Sequence, residues 1–183
     1  MTIVALLAIT ILALWGAAAF NTLVRLRNQL RTAWADIDVQ LQRRHDLVPQ
    51  LVEAVKGYAA HERATLEAVT ELRAHALSAR GAASQGTAET ALEQALGRLI
   101  ALREAYPELK ASENFAQLSS ALVTVEEHLQ YARRFYNGAV RDYNDATQRL
   151  PDLLIARSFG FSAAEFFQAD DGSRAAPAVA LAP

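Results

Sequence analysis

The sequence predicts an all-α protein, with one N-terminal transmembrane helix followed by an antiparallel bundle of long helices packed in a coiled-coil-like manner. Three observations predict it. Ala, Leu, Glu, Gln and Arg abound over the 183 residues while β-branched side chains are few, a balance that favours helix over strand. The chain opens on a long uncharged apolar run. Beyond that run, apolar side chains recur at three- and four-residue steps, the helical period. With 18 Lys and Arg against 20 Asp and Glu the net charge is −2, so bulk charge gives no reason to expect nucleic acid. Cysteine is absent, which removes disulfides, Cys-ligated zinc and thiol catalysis together.

The opening run, TIVALLAITILALWGAAAF, carries no charge before Arg25. An apolar stretch of about 20 residues is what a helix needs to cross a bilayer at about 1.5 Å per residue. Trp15 lies toward its inner end, at a depth suited to the headgroups. Residues 1–20 are therefore expected to be a transmembrane anchor. A cleaved signal peptide is the rival reading, with Ala17, Ala18 and Ala19 as a cleavage site. A signal peptide, however, wants a basic start and a shorter apolar core. Arg25, Arg27 and Arg31 follow the run and no basic side chain precedes it, so the positive-inside rule places the N-terminus outside and the bulk of the chain in the cytoplasm. The same three arginines are placed to contact lipid headgroups.

Leu23, Leu26, Leu30, Ala33, Ile37 and Leu41 continue an amphipathic stripe with no breaker after the anchor, so the membrane helix is expected to run on into the bundle. Pro49 then removes one backbone donor and clashes with the carbonyl four residues back. A kink near Arg44 and His45 is the preferred outcome. The other is a helix restarting at Asp46 with Pro49 in its first turn. Val48, Val52, Val55 and Ala59, then Leu66, Val69 and Leu72, carry the stripe onward. Residues 81–86, GAASQG, read as a loop, with Thr87 capping the next helix and Glu89 in its first turn. Leu92, Ala95, Leu96 and Leu99 are its buried face, and Pro107 lies just past its end.

Ser112 is the expected cap of a helix that runs to Pro151. Its apolar side chains form a heptad seam of Phe115, Leu118, Leu122, Val125, Leu129, Ala132, Tyr136, Ala139, Tyr143 and Ala146, with Leu150 as a last layer. After Pro151, Phe159, Phe161, Phe166 and Phe167 crowd a short span, and Ser162 with Glu165 forms a capping box for a final helix. The four phenylalanines are either a cap on the bundle or an interaction patch for another protomer or the membrane surface. The bundle is expected to cover residues 21–168. Residues 169–183, rich in Ala and Pro, have the composition of a disordered tail.

The stretch RRHD, Arg43 to Asp46, is where chemistry would be sought. None of His45, His61, His75 and His128 has a second histidine at zincin spacing, and none completes a Glu-x-x-His motif. A nucleophile elbow and a phosphate-binding Gly loop are absent. No catalytic, metal or cofactor-binding residue is assigned and no cofactor is expected. The plainer use of the run is to satisfy carbonyls freed by Pro49 or to pair with acids of a neighbouring helix. Binding of anionic lipid or of a partner's acidic patch stays open.

At the block RRHDLVPQLVEAVKGYAAHE, preceded by NTLVRLRNQLRTAWADIDVQLQ and followed by EAYPELKASENFAQL, ARRFYNGAVRDYN and FGF, the chain resembles the LemA family of bacterial membrane-anchored helical proteins. The resemblance implies a single membrane helix, a cytoplasmic antiparallel bundle, and no enzymatic activity or cofactor. The function expected is a non-enzymatic, single-pass scaffold that self-associates and organises or shapes the bacterial inner membrane. Its partners are then lipid and copies of itself, with no nucleic acid and no small-molecule substrate. The alternative is an adaptor or regulator for another membrane protein, such as a protease or a signalling kinase.

Overall fold

The computed structural model describes residues 1–167 and is all-α; the expected tail, residues 169–183, lies outside the described residues. The order is α1 Thr2–Lys56, α2 Arg63–Ser78, α3 Ala82–Ala101, a 3-10 turn at Leu102–Glu104, α4 Pro107–Lys110, α5 Glu113–Gln148 and α6 Asp152–Ser158. The described residues form two compact units, one of residues 1–39 and 130–166, the other of residues 40–129 with Phe167.

In the first unit, α1 and α5 run antiparallel: Trp34 packs edge-on to Tyr136 with centroids 5.2 Å apart, and Leu23 shares a core with Tyr143, Ala146, Ala156 and Phe161. Burial holds the Asp38 carboxyl above its ordinary pKa, partly offset by a hydrogen bond from Trp34. The seam residues Ala132, Tyr136, Ala139, Tyr143 and Ala146 are buried, but Leu150 is 69% exposed because α5 stops at Gln148. Pro151 cannot extend the helix inward, so the seventh-residue repeat outlasts the helix that would use it.

The expected final helix from Ser162 does not form; α6 comes earlier and residues 161–167 are non-helical. Their backbone is satisfied from α5 instead. Asn144 donates to the Ala164 carbonyl at 2.9 Å and accepts from the Ala164 N–H at 2.8 Å. The Tyr136 hydroxyl donates to the Glu165 carbonyl at 2.9 Å. Side chains thus take up bonds that a helix would have made within itself.

In the second unit the core joins Val48, Leu51 and Val55 of α1, Leu66 and Val69 of α2, Leu92, Leu96 and Leu99 of α3, and Phe115 and Leu122 of α5. Two boundaries differ from the sequence reading. The stripe from Val55 to Leu66 is not one helix: α1 ends at Lys56, and the amides of Tyr58 and Ala59 both turn back to the Val55 carbonyl. Gly57 makes that stop inexpensive, and buried Ala59 keeps the apolar phase through the turn. The expected loop at 81–86 shrinks to its first residue. Gly81 has φ +85°, a conformation suited to glycine, while Ala82, Gly86 and Ala88 are buried within α3. These residues are buried as part of the helix even though glycine costs a helix about 1 kcal/mol relative to alanine. Thr87 caps nothing; its hydroxyl donates to the Ala83 carbonyl at 3.1 Å. Ser112 does cap α5, its Oγ accepting from the Phe115 amide at 3.4 Å.

Candidate functional site

Two places hold chemistry that packing alone does not require. The first lies in the second unit, at the RRHD run. Pro49 sits inside α1, so the helix does not restart at Asp46. One consequence is geometric: the run stays on a continuous helix, and its four side chains point in different directions. Arg43 and Asp46 are exposed. Arg44 is fully buried and His45 is 3% exposed.

Arg44 lies on the apolar stripe, between Leu41 and Val48, where a leucine would be ordinary. Its Nη2 donates to Glu89 Oε2 at 2.7 Å and its Nη1 to Glu126 Oε1 at 2.8 Å. Glu93 Oε2 stands 4.0 Å from Nη1. Glu89 is itself fully buried. His45 Nε2 stands 2.9 Å from Glu89 Oε1. One guanidinium thus joins a carboxylate of α3 to a carboxylate of α5, and the histidine beside it leans on the same acid. Of the two uses the sequence allowed for the run, Arg44 takes the second, pairing with acids of neighbouring helices.

The first use falls to a different residue. The carbonyl that Pro49 strips of its helical donor is that of His45, and Arg73 of α2 donates its Nε–H there at 2.8 Å. The other histidines stay apart: His61, His75 and His128 are exposed. Glu62, beside His61, accepts from the Tyr106 hydroxyl at 2.8 Å. That carboxylate raises the Tyr106 pKa. Among the described residues no three His, Asp or Glu side chains are arranged to hold a metal.

Glu126 and Arg73 carry no mark in the sequence; Glu89, expected in a first turn after Thr87, lies instead buried within α3, which starts at Ala82, and its register held a signal. Glu89 falls in register with Leu92, Leu96 and Leu99, on the face that must be buried. A charged residue on each of two buried stripes, Arg44 and Glu89, is the mark of an internal ion pair. Such a pair is a poor source of net stability, because desolvation costs about as much as the attraction returns. It does penalise any packing that separates its members, and so fixes how α1, α3 and α5 meet.

The second place lies in the first unit. Before Trp15 the large side chains of α1 are exposed, with Ile3 at 77%, Leu7 at 60% and Leu14 at 67%. The apolar stretch of this helix is exposed almost throughout and is long enough to cross a membrane. Arg25 and Arg31 are exposed and Arg27 is half-buried. The guanidinium carbon of Arg27 lies 4.9 Å above the Phe161 ring, so this arginine is engaged by the protein itself. The phenylalanines divide: Phe161 and Phe167 are buried, while Phe159 and Phe166 are 60% and 45% exposed. Phe20 meets both Phe159 and Phe161 edge-on, at 4.9 and 5.7 Å.

Residues 33–181 match the LemA family. Among individual proteins, the chain is 26% identical over 175 residues to magnetosome protein MamQ 2 of Paramagnetospirillum magneticum, covering 81% of this chain and 64% of that protein. MamQ of Magnetospirillum gryphiswaldense is similar at 26% over 174 residues, again covering 81% of this chain and 64% of the relative. Protein LemA of Metamycoplasma hominis is 24% identical over 155 residues, covering 84% of this chain and 71% of that protein. The chain thus spans 64% of the length of these MamQ relatives.

Proposed function

The chain belongs to the LemA family, and from that premise we propose that it is a non-enzymatic scaffold, anchored by one helix in the bacterial inner membrane, whose copies associate and organise the bilayer around them. Residues 1–20 are the anchor and residues 21–168 the cytoplasmic bundle. The observation that carries this reading is a change of character within one uninterrupted helix. Leu14 and everything large before it is exposed, whereas Leu23, Ala33 and Ile37 are at most 1% exposed. Apolar surface of that size, left bare to water, costs about 25 cal/mol per Å². A bilayer removes the cost, and the continuous helix transmits the position of the anchor to the bundle.

The polarity of the flanks supports the orientation. Arg25 and Arg31 are exposed in the stretch that follows the anchor, on the side where the positive-inside rule puts cytoplasm. Likeness to proteins named for the magnetosome supports an organising role over a catalytic one. Negative-stain imaging of the detergent-purified full chain, with crosslinking in cells, tests the proposal. Regular assemblies and mostly self-crosslinks are expected. Isolated particles of monomer size, with crosslinks to one dominant foreign membrane protein, would replace the scaffold with an adaptor.

A further inference from the structure

The short helix α6 lies against the anchor. The side chain of Ile155 stands so close to Gly16 that a β-carbon there would sit 3.7 Å from Ile155 Cδ1. Phe159, just past the end of α6, meets Phe20 at 4.9 Å. Yet Leu150, Leu154 and Phe159 present 69%, 59% and 60% of their surface outward, a large apolar display for the flanks and body of a seven-residue helix.

Position along α1 decides what covers them. Residues 2–20 make about 28 Å of helix, close to the hydrocarbon thickness of a bilayer, about 30 Å. The inner edge of the hydrocarbon then falls near Phe20. Gly16 lies about 6 Å deeper along the axis, within the 5–10 Å to which interfacial helices sink. We propose that α6, with Leu150 and Phe159 at its flanks, is a lipid-embedded collar that rests in the inner boundary of the bilayer beside the anchor. This inference rests on reading residues 2–20 as the span. The charges beside the collar form a pair, Asp152, 17% exposed, with Arg149 at 3.2 Å, and the Arg149 side chain, 69% exposed, has a stem long enough to carry its guanidinium out to the headgroups. Arg157 is exposed, with a stem long enough to reach phosphate headgroups while its neighbours stay in lipid. Leu154 and Phe159 are therefore the residues that set the depth and tilt of the anchor.

The absence of cysteine makes single labels clean. Leu7→Cys, Phe135→Cys, Leu154→Cys and Phe159→Cys, each carrying a nitroxide, are placed singly in the full chain and reconstituted in phosphatidylcholine and phosphatidylglycerol vesicles. Collisions with oxygen, which partitions into lipid, are compared with those of an aqueous nickel chelate. At 154 and 159 oxygen collisions are expected to exceed nickel collisions several-fold, at a depth shallower than residue 7. Residue 135, apolar and 51% exposed but farther from the anchor, is expected to show the reverse. If residue 7 reads as lipid while 154 and 159 read as water, or as closed to both reagents, the collar is refuted and the span stands. If residue 7 also reads as water, the span fails and the collar with it.

Discussion

Arg73 donates its Nε–H to the backbone carbonyl of His45 at 2.8 Å, the acceptor that Pro49 deprives of its helical partner. A proline inside α1 is thereby tolerated through a side chain from α2. The Arg73→Met variant is expected to lose about 1–3 kcal/mol, the cost of an unsatisfied buried carbonyl. In a Pro49→Ala background the backbone N–H returns, and the same change is expected to cost much less. Thermal unfolding of the four variants in detergent, followed by circular dichroism, gives the coupling. Equal losses in both backgrounds would show that Arg73 serves some other contact.

Removing Glu89 takes away the one fully buried partner of Arg44 and leaves Glu126, partly exposed, as its close counter-ion. Glu89→Gln is expected to cost about 3–5 kcal/mol. The double change Arg44→Met with Glu89→Leu is expected to regain part of it, since the two fully buried charges leave together and only Glu126, whose side chain is 22% exposed, loses its close partner Arg44. Denaturant unfolding of the single and double variants decides. A double variant as weak as Glu89→Gln would mean that the charges themselves hold the helices.

Burial is the larger cause, and the Glu165 charge the smaller, that holds the Tyr136 hydroxyl above its ordinary pKa of 10.0. A folded-state pKa above the unfolded one gives a contribution that is complete below pH about 10 and is lost as pH rises through the folded value. The ionised oxygen can no longer donate to the Glu165 carbonyl. Alkaline denaturation should therefore be steeper above pH about 10 in the native sequence than in Tyr136→Phe. Parallel curves would dissociate this hydroxyl from the holding of residues 161–167.

Two glycines should respond to alanine in opposite ways. Gly81 has φ +85° and ψ 152°, a region closed to side chains, so Gly81→Ala is expected to cost about 1–3 kcal/mol. Gly97 lies inside α3 with open space where a β-carbon would go, so Gly97→Ala is expected to add about 0.5–1 kcal/mol. Melting temperatures moving in the same direction would contradict the backbone argument.

Periodicity made the long helices legible. Along the stripe Leu23, Ala33, Ile37 and Leu41 are buried and Leu26 and Leu30 half-buried, and in the repeat from Phe115 to Ala146 all are buried but half-buried Leu118. Breaks were harder to read. Ala59 keeps the apolar phase across a tight turn, so Val55 and Leu66 look like neighbours on one helix. Gly86 looks like a loop residue by composition, and its place is shown only by its burial within α3. The ion cluster was half legible. Arg44 stood out, but which acids it meets depends on three helices closing together, and local sequence does not encode that. The segment after Gly160 misled for a related reason. Its capping-box pattern is genuine, but Asn144 and Tyr136 hold its backbone instead.

The most direct measurement of the central claim is native mass spectrometry of the full chain released from lipid nanodiscs. The expected result is an assembly of more than one copy, each with residues 2–20 still attached and with lipid retained. A single copy, or a polypeptide trimmed near Phe20 and free of lipid, would contradict the membrane scaffold outright.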